Sequence, residues 1–193
     1  GDVYKRQGKQ AAKVKNNLQL RRDSDFSIKF SGLITKKIIS NELIKSFALP
    51  KKVHGTIFSK STSGMEYGRH IDNPFMPSGR ADLSFTIFLT NKNNYEGGAL
   101  SIECLNSEEK FKLNAGEIII YPSTYFHSVE RVIKGERLVF IGWIESYVKS
   151  IEEREYLFDL DAAAKSLLAK YGRSDEVDLI FKSYSNLLRR LSN

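Results

Sequence analysis

The stretch 117–146, EIIIYPSTYFHSVERVIKGERLVFIGWIES, decides the fold. It contains three runs rich in β-branched and aromatic residues, EIIIYPS, FHSVERVI and RLVFIGWIES, broken by the turn signals PSTY and KGE. Nothing between them is long enough for a crossover helix, so they read as antiparallel strands. The pattern runs back to about residue 53 through VHGTIFSK, EYGRHID, DLSFTIFLT, GALSIECL and EKFKLN. The turns NPFMPSG, NKNNYEGG, NSEE and NAG separate these runs. Short strands at about ten-residue spacing predict a mainly β domain over 53–146: a double-stranded β-helix, that is, a cupin-like jelly roll.

The flanks have a different period. Residues 8–25 are polar and basic and read as an extended arm. Residues 35–48, TKKIISNELIKSFA, put Ile38, Ile39, Leu43, Ile44 and Phe47 at helical spacing, with Thr35 or Ser40 as cap and Pro50 as stop. The basic arm and flanking helix together fill 8–52. Over 147–193 the helical period returns as a two-helix extension. One stripe is Leu157, Leu160, Ala164, Leu167, Leu168 and Tyr171, ended by Gly172. The second runs from Val177 to Leu191 behind Ser174. These faces could pack on the barrel or join two copies of the chain as a homodimer. Residues 1–7, GDVYKRQ, fit no structural pattern and read as a non-native leader.

The chain of 193 residues is 41% hydrophobic, in the range of one globular domain. No run approaches the roughly 18 apolar residues of a membrane span. Cys104 is the only cysteine and reads as a small apolar strand residue, which fits a cytoplasmic location. The net charge of +7 arises in residues 1–60, with 14 Lys and Arg against 4 Asp and Glu. Without aromatic interleaving or a DNA-reading motif, this excess reads as a solvated lysine-rich surface, not a nucleic-acid footprint.

Of the three histidines, His54 reads as structural. His70 and Asp72 lie two apart in EYGRHID, which places both on one face of a strand. His127 opens the seventh strand, a neighbour of the second in a jelly roll, so the three side chains can converge at one mouth of the barrel. Two imidazoles and one carboxylate make the facial triad of non-haem Fe(II) oxygenases, which leaves other positions open for substrate and O₂. Arg137, ten residues after His127, begins a strand of the opposite sheet and can point into the barrel. Its planar guanidinium suits the far carboxylate of 2-oxoglutarate.

With these residues in place the chain resembles the PKHD-type hydroxylases (prolyl/lysyl hydroxylase domain), in particular their bacterial iron-uptake-associated branch. The resemblance runs from about residue 8 to the C-terminus. It rests on GKQAAKVKNN, YGRHID, RADLSFTIFL, YEGGAL, LNAGEIIIYPSTYFHSVERVIKGERL, WIES and LFDLD. It implies Fe(II) at His70, Asp72 and His127, 2-oxoglutarate at Arg137, and ascorbate as a candidate reductant. It also implies hydroxylation of an unactivated C–H bond with release of succinate and CO₂, and a peptide or protein substrate presenting prolyl or lysyl side chains. A segment ahead of GKQAAKVKNN is expected to be missing. One departure stands out. The family usually has a tyrosine nine residues before the first ligand histidine, where its hydroxyl helps hold the co-substrate carboxylate. Here that residue is Ser61. Either co-substrate binding is weaker, or Tyr67 or Tyr121 supplies the hydroxyl.

Ser84 and Thr86 alternate with Leu83, Phe85 and Ile87, so they should face the barrel interior, with Ser84 near the co-substrate. Arg80 and Asp82 read as an ion pair, Gly97 and Gly98 as a tight turn or bulge, and KVKNN (13–17) as an outer wall of the site. Two other functions compete with the oxygenase: a metal-binding jelly roll whose co-substrate site Ser61 has broken, and a nucleic-acid-binding protein using the basic N-terminal region.

Overall fold

The computed structural model describes residues 3–5 and 15–192. Most of the expected leader, and residues 8–14 of the expected arm, lie outside them. The strands, in chain order, begin with β1 (Val3–Lys5), β2 (Lys15–Asn16), β3 (Leu18–Leu20), β4 (Pro50–Thr62) and β5 (Glu66–His70). They continue with β6 (Phe75–Met76), β7 (Gly79–Arg80), β8 (Leu83–Phe88), β9 (Tyr95–Gly97) and β10 (Leu100–Glu103). The last four are β11 (Glu108–Phe111), β12 (Ile118–Pro122), β13 (His127–Val129) and β14 (Val132–Ser146). The helices are α1 (Asp25–Ser40), α2 (Glu42–Ala48), α3 (Ile151–Tyr171) and α4 (Asp175–Leu191).

Two antiparallel sheets face each other. The larger has the order β1-β3-β4-β14-β8-β12, with β9 also on β14; the smaller runs β11-β10-β13-β5-β2. A short hairpin joins β6 to β7. The expected jelly roll is present, with helices before and after it.

Alternation along the large sheet assigns its two faces. Leu83, Phe85, Phe140 and Ile144 point outward and pack against Ile38, Ile44 and Ala48 of α1 and α2. Ser59, Ser61, Ser84, Thr86 and Arg137 point inward and line a cavity between the sheets. The rest of the interior is filled by Leu100, Ile102 and Tyr121, with Phe111 and Val129 against them. The cavity is thus walled by an apolar cluster on one side and by polar strand positions on the other.

Four local expectations are corrected. The N-terminal helix starts at Asp25, ten residues early, because Ser24 caps it by accepting from the Ser27 N–H. Its stripe was hard to see because Phe26, Ile28 and Leu33 are exposed. The stretch 35–48 is two helices, split where the Asn41 side chain caps α2 by accepting from the Ile44 N–H. KGE is not a turn between strands: it lies inside the 15-residue β14, where Gly135 takes φ 81° just after a bulge at Ile133 against β9. The third-strand-to-fourth-strand loop holds the extra strand β9.

The C-terminal helices pack within the chain: Leu49, Val148 and Leu157 form a cluster with Tyr184, Leu188 and Leu191. Gly172 and Ser174 cap α3 and α4 as expected. The far end of the α3 stripe, Leu167, Leu168 and Tyr171, stays exposed.

Candidate active site

The smaller sheet brings the two histidines together. His70 ends β5, His127 opens β13, and the two are directly opposite in the ladder. Each ring is aimed by the same device. His70 Nδ1 donates to the Gly68 carbonyl at 2.9 Å, and His127 Nδ1 donates to the Tyr125 carbonyl at 3.1 Å. A ring nitrogen facing a carbonyl must carry the proton, so in each ring Nε2 keeps its lone pair. The ring centroids are 4.2 Å apart. Burial pushes His70 down to about 4, with the neighbouring His127 imidazole as the second cause. A neutral imidazole at ordinary pH is the form that binds a metal.

Asp72 reaches the site differently from the expectation. The strand ends at His70, so Asp72 lies just beyond it and owes its position to the opposite sheet. Its Oδ2 accepts from Ser84 Oγ at 2.6 Å and from Trp143 Nε1 at 2.9 Å. Asp72 Oδ2 stands 3.8 Å from His127 Nε2. One ligand atom from each of His70, Asp72 and His127 falls within 4.8 Å of the others, close enough to share one metal ion. Two imidazoles, one carboxylate and no thiolate form a donor set suited to Fe(II).

Behind this cluster the cavity has a volume of about 100 Å³ and ends at Arg137. The guanidinium lies 5.5 Å from the Phe88 ring, its residue only 4% exposed. Its Nε is buried without a hydrogen-bond partner, and the buried hydroxyl of nearby Tyr95 interacts with the same guanidinium. Burial lowers the Arg137 pKa, while Tyr95 and Tyr121 raise it. An arginine keeps its charge under such pressure, so a buried cation faces a space the size of a small acid. This fits an anionic ligand. Gly98 makes room for the Arg137 stem: a Cβ there would lie 3.2 Å from Arg137 Cδ and 3.0 Å from Val132 Cγ2.

Ser84 lines the cavity and is bonded to Asp72 and to Ser123 Oγ. Tyr67 stacks on His70 with centroids 3.7 Å apart and planes 11° from parallel; burial, helped by Asp72, pushes its hydroxyl up to about 12. Tyr121 is buried, meets His127 edge-on at 5.2 Å, and lies near both Asp72 and Arg137. Of the two tyrosines, Tyr121 is the one on the Arg137 side. Ser61 is buried directly across from Arg137 in the β4–β14 ladder. Lys15 and Asn17 of KVKNN line the cavity; Lys13 and Val14 lie outside the described residues. His54 is structural, bonded to Ser78 Oγ and the Arg80 carbonyl, both at 2.9 Å. Arg80 and Asp82 pair through two bonds of 2.7 and 2.8 Å. Gly97 and Gly98 both have positive φ. Two site residues had been missed. Trp143 lies six positions after Arg137 on the same face of β14, a parity that could have found it. Tyr95 offered no signal beyond its place before the glycine pair.

Comparison with known proteins agrees with this geometry. The sequence model of the 2OG-Fe(II) oxygenase superfamily matches residues 56–145, and that of the PKHD-type hydroxylase C-terminal domain matches 152–193. A PKHD-type hydroxylase of Prochlorococcus marinus strain MIT 9515 is 75% identical over 96% of this chain and 84% of its own length. Another, from strain MIT 9215, is 73% identical over 98% and 86%. Among solved structures, a Pseudomonas putida prolyl-4-hydroxylase aligns with TM-score 0.52 and 18% identity over 69% of this chain and 74% of that one. A Trichoplax adhaerens prolyl hydroxylase, solved with a hypoxia inducible factor peptide fragment, aligns with TM-score 0.56 and 17% identity over 81% and 74%. These two share the fold. The matches define a 2-oxoglutarate-dependent oxygenase, and the chain belongs to the PKHD-type hydroxylases. As the family implies, Fe(II), 2-oxoglutarate and O₂ are its requirements. No helix among the described residues is long and apolar enough to cross a membrane.

Proposed function

We propose that this chain hydroxylates an unactivated C–H bond of a peptide or protein substrate, with prolyl or lysyl side chains as the substrate class. His70, Asp72 and His127 would hold Fe(II), and Arg137 would hold the far carboxylate of 2-oxoglutarate. One observation carries the reading: three ligand atoms converge at one end of a cavity whose other end presents a buried cation with an unpartnered Nε. When bound, Fe(II) with 2-oxoglutarate supplies O₂ activation and the decarboxylation to succinate and CO₂.

The chain's own residues do the rest. The Gly68 and Tyr125 carbonyls fix both imidazole tautomers. Ser84 and Trp143 donate to Asp72 Oδ2, the oxygen 3.8 Å from His127 Nε2, and so orient the carboxylate. Tyr67 covers His70 and limits its motion. The same reading includes ascorbate as reductant, a cytoplasmic site of action and a homodimer through the C-terminal helices. Support for the dimer comes from the exposed Leu167, Leu168 and Tyr171.

The test is an anaerobic titration with Fe(II), then 2-oxoglutarate, followed at the visible charge-transfer band of the chelate. Wild type should develop the band, and Asp72→Ala should not. Absence of iron binding in wild type would refute the triad. Succinate release raised by prolyl or lysyl peptides, over the level without peptide, would establish the substrate class; release that no such peptide changes would reject it.

A further inference from the structure

Residues 15–20 do more than extend the sheets. Lys15 pairs with Tyr67 at the edge of the smaller sheet, and Leu18 and Gln19 pair with Lys60 and Ser59 on the larger one. The segment is a strap across the open side of the barrel, and Asn17 is the residue at the crossing. The β3–β4 register carried one step further sets Asn17 across from Ser61, and Ser61 is across from Arg137. Asn17, Ser61 and Arg137 thus form one row on the inner face, each less than 9% exposed. Asn17 Nδ2 donates to Ser59 Oγ at 2.6 Å, while its Oδ1 is buried with no partner. In the next row Gln19 is 1% exposed with neither amide atom paired.

A buried amide with an open hydrogen-bonding position is costly unless a ligand completes it. Turning the Asn17 amide by 180° keeps a Ser59 bond, with the hydroxyl proton moved from the Leu18 carbonyl, 3.5 Å away, to Oδ1, and presents an N–H to the cavity. That N–H would enter the space left because Ser61 is short. We propose that Asn17, with the Ser61 hydroxyl, is a positioning residue for the far carboxylate of the co-substrate, doing from the strap what a tyrosine at position 61 would do from β4. The inference rests on the reading of Arg137 as the anchor of that carboxylate.

The test compares two 2-oxo acids on the anaerobic Fe(II) protein: 2-oxoglutarate, and 2-oxovalerate, which has the same chelating head and no far carboxylate. Asn17→Ala should raise the 2-oxoglutarate Kd about tenfold, as expected for losing a hydrogen bond to a charged group, and leave 2-oxovalerate unchanged. Asn17→Asp keeps the shape and the Ser59 bond, so it guards against misfolding. It sets a negative charge against the ligand and should weaken 2-oxoglutarate more than Asn17→Ala does. Ser61→Tyr added to Asn17→Ala should restore 2-oxoglutarate binding. Equal weakening of both acids by Asn17→Ala would make the strap merely structural and overturn the proposal. So would a shift in Arg137→Ala with none in either Asn17 variant. If Arg137→Ala itself leaves the 2-oxoglutarate Kd unchanged, the reading of the anchor fails instead.

Discussion

At one end of the cavity the protein has already made its hydrogen bonds: both Nδ1 atoms have carbonyls, and Asp72 Oδ2 has two donors. At the other end it has not. Among the described residues, Asn17, Gln19 and Arg137 have buried side-chain atoms without partners, and the triad has none. The end proposed to hold the metal is therefore ordered by its own hydrogen bonds before any ligand arrives. Of the unpartnered atoms, Arg137 Nε is a donor on the cavity wall, and a ligand's carboxylate oxygen could recover the cost of about 1–3 kcal/mol that an unpaired buried group carries.

The largest effects should come from cutting the metal end. Asp72→Ala removes the only anionic ligand and should abolish turnover, with Fe(II) affinity falling by more than the roughly 10–100-fold typical of losing a supporting bond. Equilibrium dialysis of Fe(II) under argon reads this directly. Arg137→Ala should leave Fe(II) affinity in place and raise the 2-oxoglutarate Kd about a hundredfold, the worth of two charge-assisted bonds. Arg137→Lys keeps the charge without the fork and should fall between. Loss of iron binding in Arg137→Ala would show that the two ends are not separable.

A smaller effect probes how the metal end is prebuilt. Trp143→Phe removes one of two donors to Asp72 while keeping an aromatic ring on β14. Fe(II) affinity should drop about tenfold, with the 2-oxoglutarate Kd measured at saturating iron unchanged. An unchanged Fe(II) affinity would mean that Ser84 alone orients the carboxylate.

This contrast also explains what the sequence revealed. Period-two alternation placed Ser84 and Thr86 in the barrel and made His70 and His127 meet, because side-chain parity survives folding. It misjudged Asp72, which works from beyond the strand end. It also lost Trp143, although Arg137, Val139, Ile141 and Trp143 share one face of β14 and the indole could have been placed by counting. Asn17 and Gln19 could not. Asn17 lies between β2 and β3 and Gln19 inside β3, and these strands of two and three residues are too short for any period. Their burial comes from a strap that crosses between sheet edges, a tertiary fact. Helix α1 was misread for the related reason that five of its seven apolar residues, Phe26, Ile28, Phe30, Leu33 and Ile39, are exposed.

The smallest expected effect is the sharpest test of separability. Gly98 has φ 65°, and a Cβ there would press on Val132 and on the Arg137 stem at 3.0 and 3.2 Å. Gly98→Ala should therefore cost about 1–2 kcal/mol from the left-handed backbone, seen as a Tm lower by about 2–8 °C. The displaced Arg137 stem should raise the 2-oxoglutarate Kd severalfold, while Fe(II) affinity stays as in wild type, since no triad residue touches Gly98 among its three nearest neighbours. If Fe(II) affinity and 2-oxoglutarate affinity fell together, strain would be passing along the cavity, and the prebuilt end would depend on the open one.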